Sequence, residues 1–319
     1  MRPADLSTAV VVPTYRRPKE LVQCVTSILQ AERRPDELWI VGRRGDHATA
    51  RAIESLQRLH SDYSAFNVRW VDVPGHIVPV REGLQAATSL LIAVVDDDVT
   101  VTPHWLERLA RHFTDPSIGV VGGRVIVPKH PKIRLKGRPG DISWYGKHWG
   151  NIASVGGDAA FDTWGVQECN WMWRRTVALQ IEWDMCLNFD EAPMYGLDLC
   201  IQVRRLGYRV VYDPQAIVYH HIAPRSPELD RRDRPRRIYA YCRNYTYIMM
   251  KHLPWWRKLA FLSWWFMIGE RGGWAPASLV VGILQRHPRW RQEAWPALRG
   301  KLTGLRLWWQ YGKTKRRNR

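Results

Sequence analysis

A run of six apolar residues, Leu90, Leu91, Ile92, Ala93, Val94 and Val95, leads directly into three aspartates, Asp96, Asp97 and Asp98. A short uninterrupted apolar run predicts a strand buried on both faces, as strands of parallel sheets are. Parallel strands require crossover helices, and in an open α/β sheet ligands bind beyond the carboxyl ends of the strands. The acids therefore stand where chemistry is done. Two carboxylates about 4 Å apart repel by roughly 4 kcal/mol at an effective dielectric near 20. The cluster calls for either a raised protonation or a cation, and a hard divalent ion shared with phosphate oxygens suits it. The plainer alternative is a solvated acidic turn before a helix that starts near Thr102 and Pro103.

A length of 319 residues fits two domains. Apolar content of 45% with 24% charged residues is ordinary for a globular enzyme, but a net charge of +18 and 18 tryptophans are not. Such a charge attracts phosphate-bearing partners or an anionic leaflet, and tryptophan favours surfaces that are apolar on one side and wet on the other. The five cysteines are scattered without CxxC spacing, which predicts a reduced, cytoplasmic chain. No signal-peptide pattern opens the sequence, and the longest apolar candidate, residues 259–269, is stopped by Glu270 and Arg271. The expected location is cytoplasmic, peripheral at the inner face of the membrane.

Hydrophobic periodicity predicts strands over residues 8–12, 37–41, 68–73 and 90–95, alternating with helices over 18–31, 48–59 and 81–89. A helix over 105–113 and a strand over 119–127 follow, then an irregular stretch over 129–157 rich in Gly, Pro and Lys. Beyond it come an ordered stretch over 166–173, helices from 175 and over 199–206, and short strands over 209–212 and 216–220. From Asp230 the composition turns basic and tryptophan-rich. The expected division is residues 1–229 and a helical region over 230–319. The last residues, with Lys313, Lys315, Arg316, Arg317 and Arg319, are expected to stay disordered away from an anionic surface.

The motifs AVVVPTYRRP (residues 9–18), REGLQAATSLLIAVVDDDVTVTPHWLERL (81–109), DPSIGVVGGRV (115–125), ECNWMWRR (168–175), FDE (189–191), DLCIQVRRLGYRVVYDPQAIVYH (198–220) and CRNYTYIMMKHLP (242–254) occur in that order. Over residues 7–254 the chain resembles family 2 glycosyltransferases. That resemblance implies an α/β GT-A fold, a Rossmann-like mixed sheet flanked by helices, with a helical C-terminal extension. Within residues 1–229 it implies a donor-binding half to about 127 and an acceptor-binding half over 128–229. It also implies a metal-dependent, inverting transferase that moves a sugar from a UDP-, dTDP- or GDP-linked donor to a hydroxyl of a saccharide acceptor. The basic charge and clustered tryptophans of the C-terminal region suit an acceptor that is lipid-linked. By the family's DxD pattern, Asp96 and Asp97 face the nucleotide and Asp98 holds Mg²⁺ or Mn²⁺, with His220 completing the metal shell and His221 as its rival. Pro13, Thr14, Tyr15, Arg17 and Arg81 fall to the donor site, Glu168, Asn170 and Trp171 to the acceptor site. Arg81 equally suits a carboxylate of the acidic triplet.

Two departures from the family pattern matter. The second strand lacks the usual base-reading aspartate, and Gly42, Arg43, Arg44 and Gly45 lead instead to Asp46, the nearest acid. The usual catalytic-base position falls on Gly196, which leaves Asp198, Glu191 and Asp190 as the candidates, Asp198 doubling as the N-cap of the helix over 199–206. Arg243 and Asn244 match a pair that opens a tail helix in the family. Trp255, Trp256, Trp264, Trp265, Trp308 and Trp309 suit either interfacial helices or core packing. A catalytically inactive scaffold, a nucleic-acid-binding protein and an enzyme acting on polyprenyl phosphate are the competing functions.

Overall fold

A computed structural model describes residues 6–128, 139–150, 155–223, 233–270 and 272–317. Part of the expected loop over 129–157, and Arg231, Arg232 and Arg319, lie outside the described residues. The chain forms two compact units: Met1–Asp141, Trp149–Trp183 and Leu199–Pro224 make the first, and Ile142–His148, Asp184–Asp198 and Arg225–Arg319 the second. The division is thus not one cut near residue 230. Two internal segments join the C-terminal helices.

The first unit holds strands β1 (Thr8–Thr14), β2 (Glu37–Arg43), β3 (Phe66–Val71), β4 (Leu91–Val95), β5 (Val99–Val101), β6 (Ile118–Ile126), β7 (Phe161–Asp162), β8 (Asn170–Arg174) and β9 (Arg209–His220). They form one sheet in the order β3-β2-β1-β4-β8-β6-β9-β5, with β7 on β9. The β1, β2, β3 and β4 pairings are parallel, and β8 runs antiparallel to both β4 and β6. The sheet is therefore mixed. Helices α1 (Pro18–Leu29), α2 (His47–Leu59), α3 (Ile77–Ala86), α4 (Trp105–Ala110) and α5 (Arg175–Ala178) belong to this unit.

Local chemistry explains these elements. In α1, Pro18 supplies a helical φ at the first position, and Leu21, Cys24, Val25, Ile28 and Leu29 form one buried stripe. Burying each large side chain contributes roughly 1.5–3 kcal/mol. α3 starts before the expected Arg81, because Pro79 falls in the first turn, where no backbone N–H needs an intrahelical acceptor. The two short strands expected over 209–212 and 216–220 are one strand, β9, whose register against β6 jumps between Gly123 and Arg124. Residues 214–216 bulge out, and Asn170 closes the gap by donating to Arg124 O and Ala216 O, both at 3.0 Å.

α6 (Tyr195–Arg205) starts four residues earlier than expected, just after Met194 at φ 69°, so Asp198 lies inside its first turn rather than capping it. In the second unit follow α7 (Arg234–His252), α8 (Trp255–Ser263) running into a π-turn (Trp264–Ile268), α9 (Pro276–Leu284) and α10 (Trp290–Arg317). The expected disordered tail is instead helix to Arg317. Gly300 and Gly304, one turn apart, let α10 approach the α7 backbone: a Cβ on either would meet Tyr239 O or Arg243 O at 2.5 Å. Trp265 is fully buried and Trp264 nearly so, whereas Trp255, Trp256 and Trp309 are exposed, so the tryptophans divide between core and surface. Lys301 is buried and donates to the carbonyls of Trp265, Gly273 and Trp274.

Candidate active site

β1 and β4 are parallel neighbours from which the sheet grows in opposite directions, β2 and β3 beyond β1 and β8 beyond β4. Such a reversal opens a crevice at the carboxyl ends of the two strands. Thr14 ends β1 there and Asp96, Asp97 and Asp98 follow β4. Thr14 Oγ1 donates to Asp97 Oδ2 at 2.9 Å, and the Arg17 guanidinium donates to Asp97 Oδ1 at 2.8 Å and Asp98 Oδ2 at 3.1 Å. Burial raises the Asp97 carboxyl to about 7, even against the Arg17 charge. The acidic turn is thus a structured charge cluster rather than a solvated cap.

The turn from β4 into β5 folds Asp98 against the end of β9. Val99 pairs with His220, and Asp98 O accepts from His221 N at 2.8 Å. His220 Nε2 stands 3.0 Å from Asp98 Oδ1, and Ala223 N donates to Asp98 Oδ2 at 3.0 Å. Burial alone would raise the Asp98 carboxyl, but the hydrogen bond from His220 and the charges of His220 and Arg17 hold it well below the usual carboxylate range. His221 Nε2 bonds instead to Thr100 Oγ1 at 2.8 Å.

One ligand atom each from Asp96, Asp98 and His220 lies within 4.8 Å of the others. Asp96 Oδ1 is buried without a hydrogen-bond partner among the described residues, and His76 Nε2 lies 3.8 Å from it. Two carboxylates and an imidazole nitrogen fit a divalent ion. His76, ahead of α3, was not legible beforehand. It follows a Pro74–Gly75 turn in a segment with no distinctive spacing.

Other expected donor residues take different parts. Asp46 is buried, caps α2 through Thr49 N at 3.1 Å, accepts from Thr49 Oγ1 at 2.6 Å and holds the backbone N–H of Arg16. It ties the loop after β2 to the loop after β1. Pro13 is buried, while the half-buried Tyr15 ring carries the guanidinium groups of Arg16 and Arg43 at 5.0 and 4.8 Å. Arg81 pairs with Glu82 at 2.9 Å, and the arginine seated on Asp97 and Asp98 is Arg17.

Two of the residues expected on the acceptor side lie inside the sheet. Asn170 and Trp171 have no exposed surface, because β8 is a central strand between β4 and β6. Asn170 accepts from Trp105 Nε1 at 2.8 Å besides closing the β9 bulge, and Trp171 stacks edge-on against Trp173. Glu168, just ahead of β8, is half-buried.

In the second unit α7 holds the segment Asp184–Asp198 along its length. Arg243 donates to Cys186 O, Asn244 to Leu187 O and Pro193 O, and Tyr247 and Lys251 to Asp184. Arg243 and Asn244 therefore lie in the middle of α7 rather than opening it. Asp198 has no exposed surface; its Oδ1 lies 2.6 Å from His252 Nε2 and 3.2 Å from Lys251 Nζ. Burial would raise its pKa, but those two partners hold it below the carboxylate range. Asp190 pairs with Arg236 at 3.0 Å and its side chain is 4% exposed; Glu191, at 18%, faces Arg237 at 4.0 Å. Asp190, Ala192 and Met194 have φ of 57°, 49° and 69°, values that cost non-glycine residues of order 1–3 kcal/mol each and cluster at functional sites. A cavity of about 240 Å³ adjoins them, lined by Asp190, Glu191, Arg234, Arg237 and Tyr241. Gly196 lies in the first turn of α6.

A family described as glycosyltransferase-like family 2 matches residues 3–240. A glucosyl-dolichyl phosphate glucuronosyltransferase of Haloferax volcanii is 24% identical over 253 residues, 70% of this chain and 72% of that protein. Among solved structures, the mannosyltransferase PcManGT of Pyrobaculum calidifontis, in complex with GDP-Man and Mn²⁺, superposes with a TM-score of 0.58 at 15% identity, covering 96% of this chain and 87% of that one. GalNAc-T7 with UDP, GalNAc and Mn²⁺ gives 0.57 at 14% identity, covering 81% of this chain and 50% of that one.

Proposed function

The chain belongs to glycosyltransferase family 2 and has the GT-A fold of a transferase enzyme, and from that premise we propose that it moves a sugar from a nucleotide-sugar donor to a hydroxyl of a lipid-linked saccharide, in a metal-dependent, inverting reaction of cell-surface polysaccharide or glycolipid synthesis. The observation that carries this reading is the convergence of Asp96, Asp98 and His220 at the β1/β4 reversal. The H. volcanii relative, named for a dolichyl phosphate-linked substrate, supports the lipid-linked acceptor.

Asp96, Asp98 and His220 would hold Mg²⁺ or Mn²⁺, which when bound neutralises charge that grows on the departing nucleoside diphosphate. Arg17 keeps Asp97 and Asp98 close together despite their mutual repulsion, and Tyr15 with Arg16 and Arg43 offers an aromatic and cationic wall for the nucleotide. For the general base Glu191 is favoured over Asp198. Glu191 lines a cavity, whereas Asp198 is sealed between His252 and Lys251, and a base must come within about 3 Å of the acceptor oxygen. Asp190 borders the same cavity but is only 4% exposed and is held by Arg236 at 3.0 Å. Inversion then needs no covalent nucleophile.

No helix among the described residues is long and apolar enough to cross a membrane. An acceptor carried on lipid places the reaction at a membrane surface, and the exposed Trp255, Trp256 and Trp309 with the net charge of +18 support peripheral attachment to an anionic leaflet. The test is hydrolysis of a panel of UDP-, dTDP- and GDP-sugars with Mn²⁺. At least one donor should turn over, EDTA should abolish it, and Asp98→Asn should lower kcat by about 10²-fold or more. Turnover indifferent to EDTA, or no turnover of any donor, would overturn the reading.

A further inference from the structure

α9 is a nine-residue helix without a charged side chain, and Gly282 is its one buried residue. An amphipathic helix on a soluble core buries an apolar stripe and shows water a polar face. α9 has no polar face. Leu284 is 77% exposed and Val280 56%, and the turn before it adds Met267 at 58% and Ile268 at 55%. The helix is fastened where Gly282 sits against Trp274 so closely that a Cβ would lie 2.6 Å from the indole. Trp274 is fixed in turn by donating to the buried Glu293 at 2.8 Å. Most of α9 faces outward around a largely apolar cavity of about 280 Å³ lined by Ile268, Trp274 and Val281 together with the polar Ser278, Gln285 and His287.

We propose that α9 and the Met267–Ile268 corner form a docking surface for an anionic lipid bilayer. α9 would lie in the plane of the interface, with Val280, Ile283 and Leu284 among the acyl chains and one chain end in the cavity. Charge complementarity selects this occupant. No acid occurs over residues 272–292, while Arg286, Arg289 and Arg291 follow α9 directly and are exposed. The acids that flank the stretch face inward: Glu270 accepts from Tyr241, and Glu293 from Arg234 and Trp274. An apolar helix with an acid-free arginine collar matches acyl chains beneath anionic headgroups. Nine residues span about 14 Å, about half the hydrocarbon thickness, so α9 rests in one leaflet. The helix gives the membrane-surface reading a specific point of contact and rests on that reading, but on none of the donor-site residues.

The test is flotation of the full chain with vesicles of phosphatidylcholine alone or mixed equally with phosphatidylglycerol. Wild type should float with the mixed vesicles and much less with phosphatidylcholine. Val280→Asp/Leu284→Asp should lower the bound fraction at least tenfold with an unchanged circular-dichroism spectrum, since both side chains are exposed. Arg289→Glu/Arg291→Glu should weaken binding to the mixed vesicles alone. Asp98→Asn should float like wild type, so a failed transferase reading leaves this result standing. Wild type that stays with the pellet, or a Val280→Asp/Leu284→Asp variant that floats as wild type, would overturn the proposal. So would a concentration-dependent dimer, abolished by the same double substitution, in a chain that ignores vesicles.

Discussion

Asp198→Asn separates a structural role for this carboxylate from a catalytic one. The side chain has no exposed surface and lies 2.6 Å from His252 Nε2 and 3.2 Å from Lys251 Nζ. Neutralising it leaves Lys251 with Asp184 as its remaining carboxylate partner among the described residues and deprives buried His252 of a charged acceptor. Breaking a buried pair in this way costs about 3–5 kcal/mol. At about 2–4 °C per kcal/mol for a unit of this size, the melting temperature should drop by about 6–20 °C. The sign with pH follows from the depressed pKa. Stability from Asp198 is present above the unfolded carboxylate value and lost as pH falls through the folded one, so the variant should show a flatter acid limb. Thermal and urea denaturation, read alongside donor turnover well below the transition, is the assay. The expected result is a large loss of stability with kcat within about tenfold of wild type. A variant that melts like wild type yet loses about 10²–10⁴ in kcat would refute the structural assignment and restore Asp198 as the base.

Glu191→Gln should behave in the opposite way, losing about 10²–10⁴ in kcat at saturating acceptor with its melting temperature within about 2 °C of wild type. Glu37 accepts from Ser89, Thr88 and Trp39, and although burial opposes them these bonds hold its carboxyl at about 2. Its contribution is present above pH ~4.5 and lost as pH falls toward 2, so Glu37→Gln should remove part of the acid slope in chemical denaturation between those values. Lys301→Met strips the donor from three buried carbonyls and should destabilise the chain by about 1–3 kcal/mol, measured as a fall in the urea midpoint at unchanged slope.

The parallel half of the sheet was legible because β1, β2 and β4 are continuous apolar runs, and the acid triplet could be placed from β4 alone. The antiparallel half was not. β8 enters between β4 and β6 from a distant part of the chain, and only that insertion buries Asn170 and Trp171 on both sides. Sequence spacing cannot report which two strands a third will part. β9 read as two strands because Pro214 interrupts its pattern, whereas the register jump opposite Gly123 carries the strand through. Asp198 read as a cap because the left-handed Met194, which sets the true start of α6, has a side chain that rarely adopts that conformation. His76 and Asp46 each gained their place from a loop whose course no local pattern encodes.

Because α7 grips Asp184, Cys186, Leu187, Asp190, Pro193 and Asp198 in turn, the placement of these carboxylates depends on a helix more than forty residues downstream. Selection for transferase activity would therefore constrain Arg243, Asn244 and Tyr247 as tightly as groups that touch sugar. A loss-of-function screen on this enzyme should return helix-packing substitutions among its strongest hits.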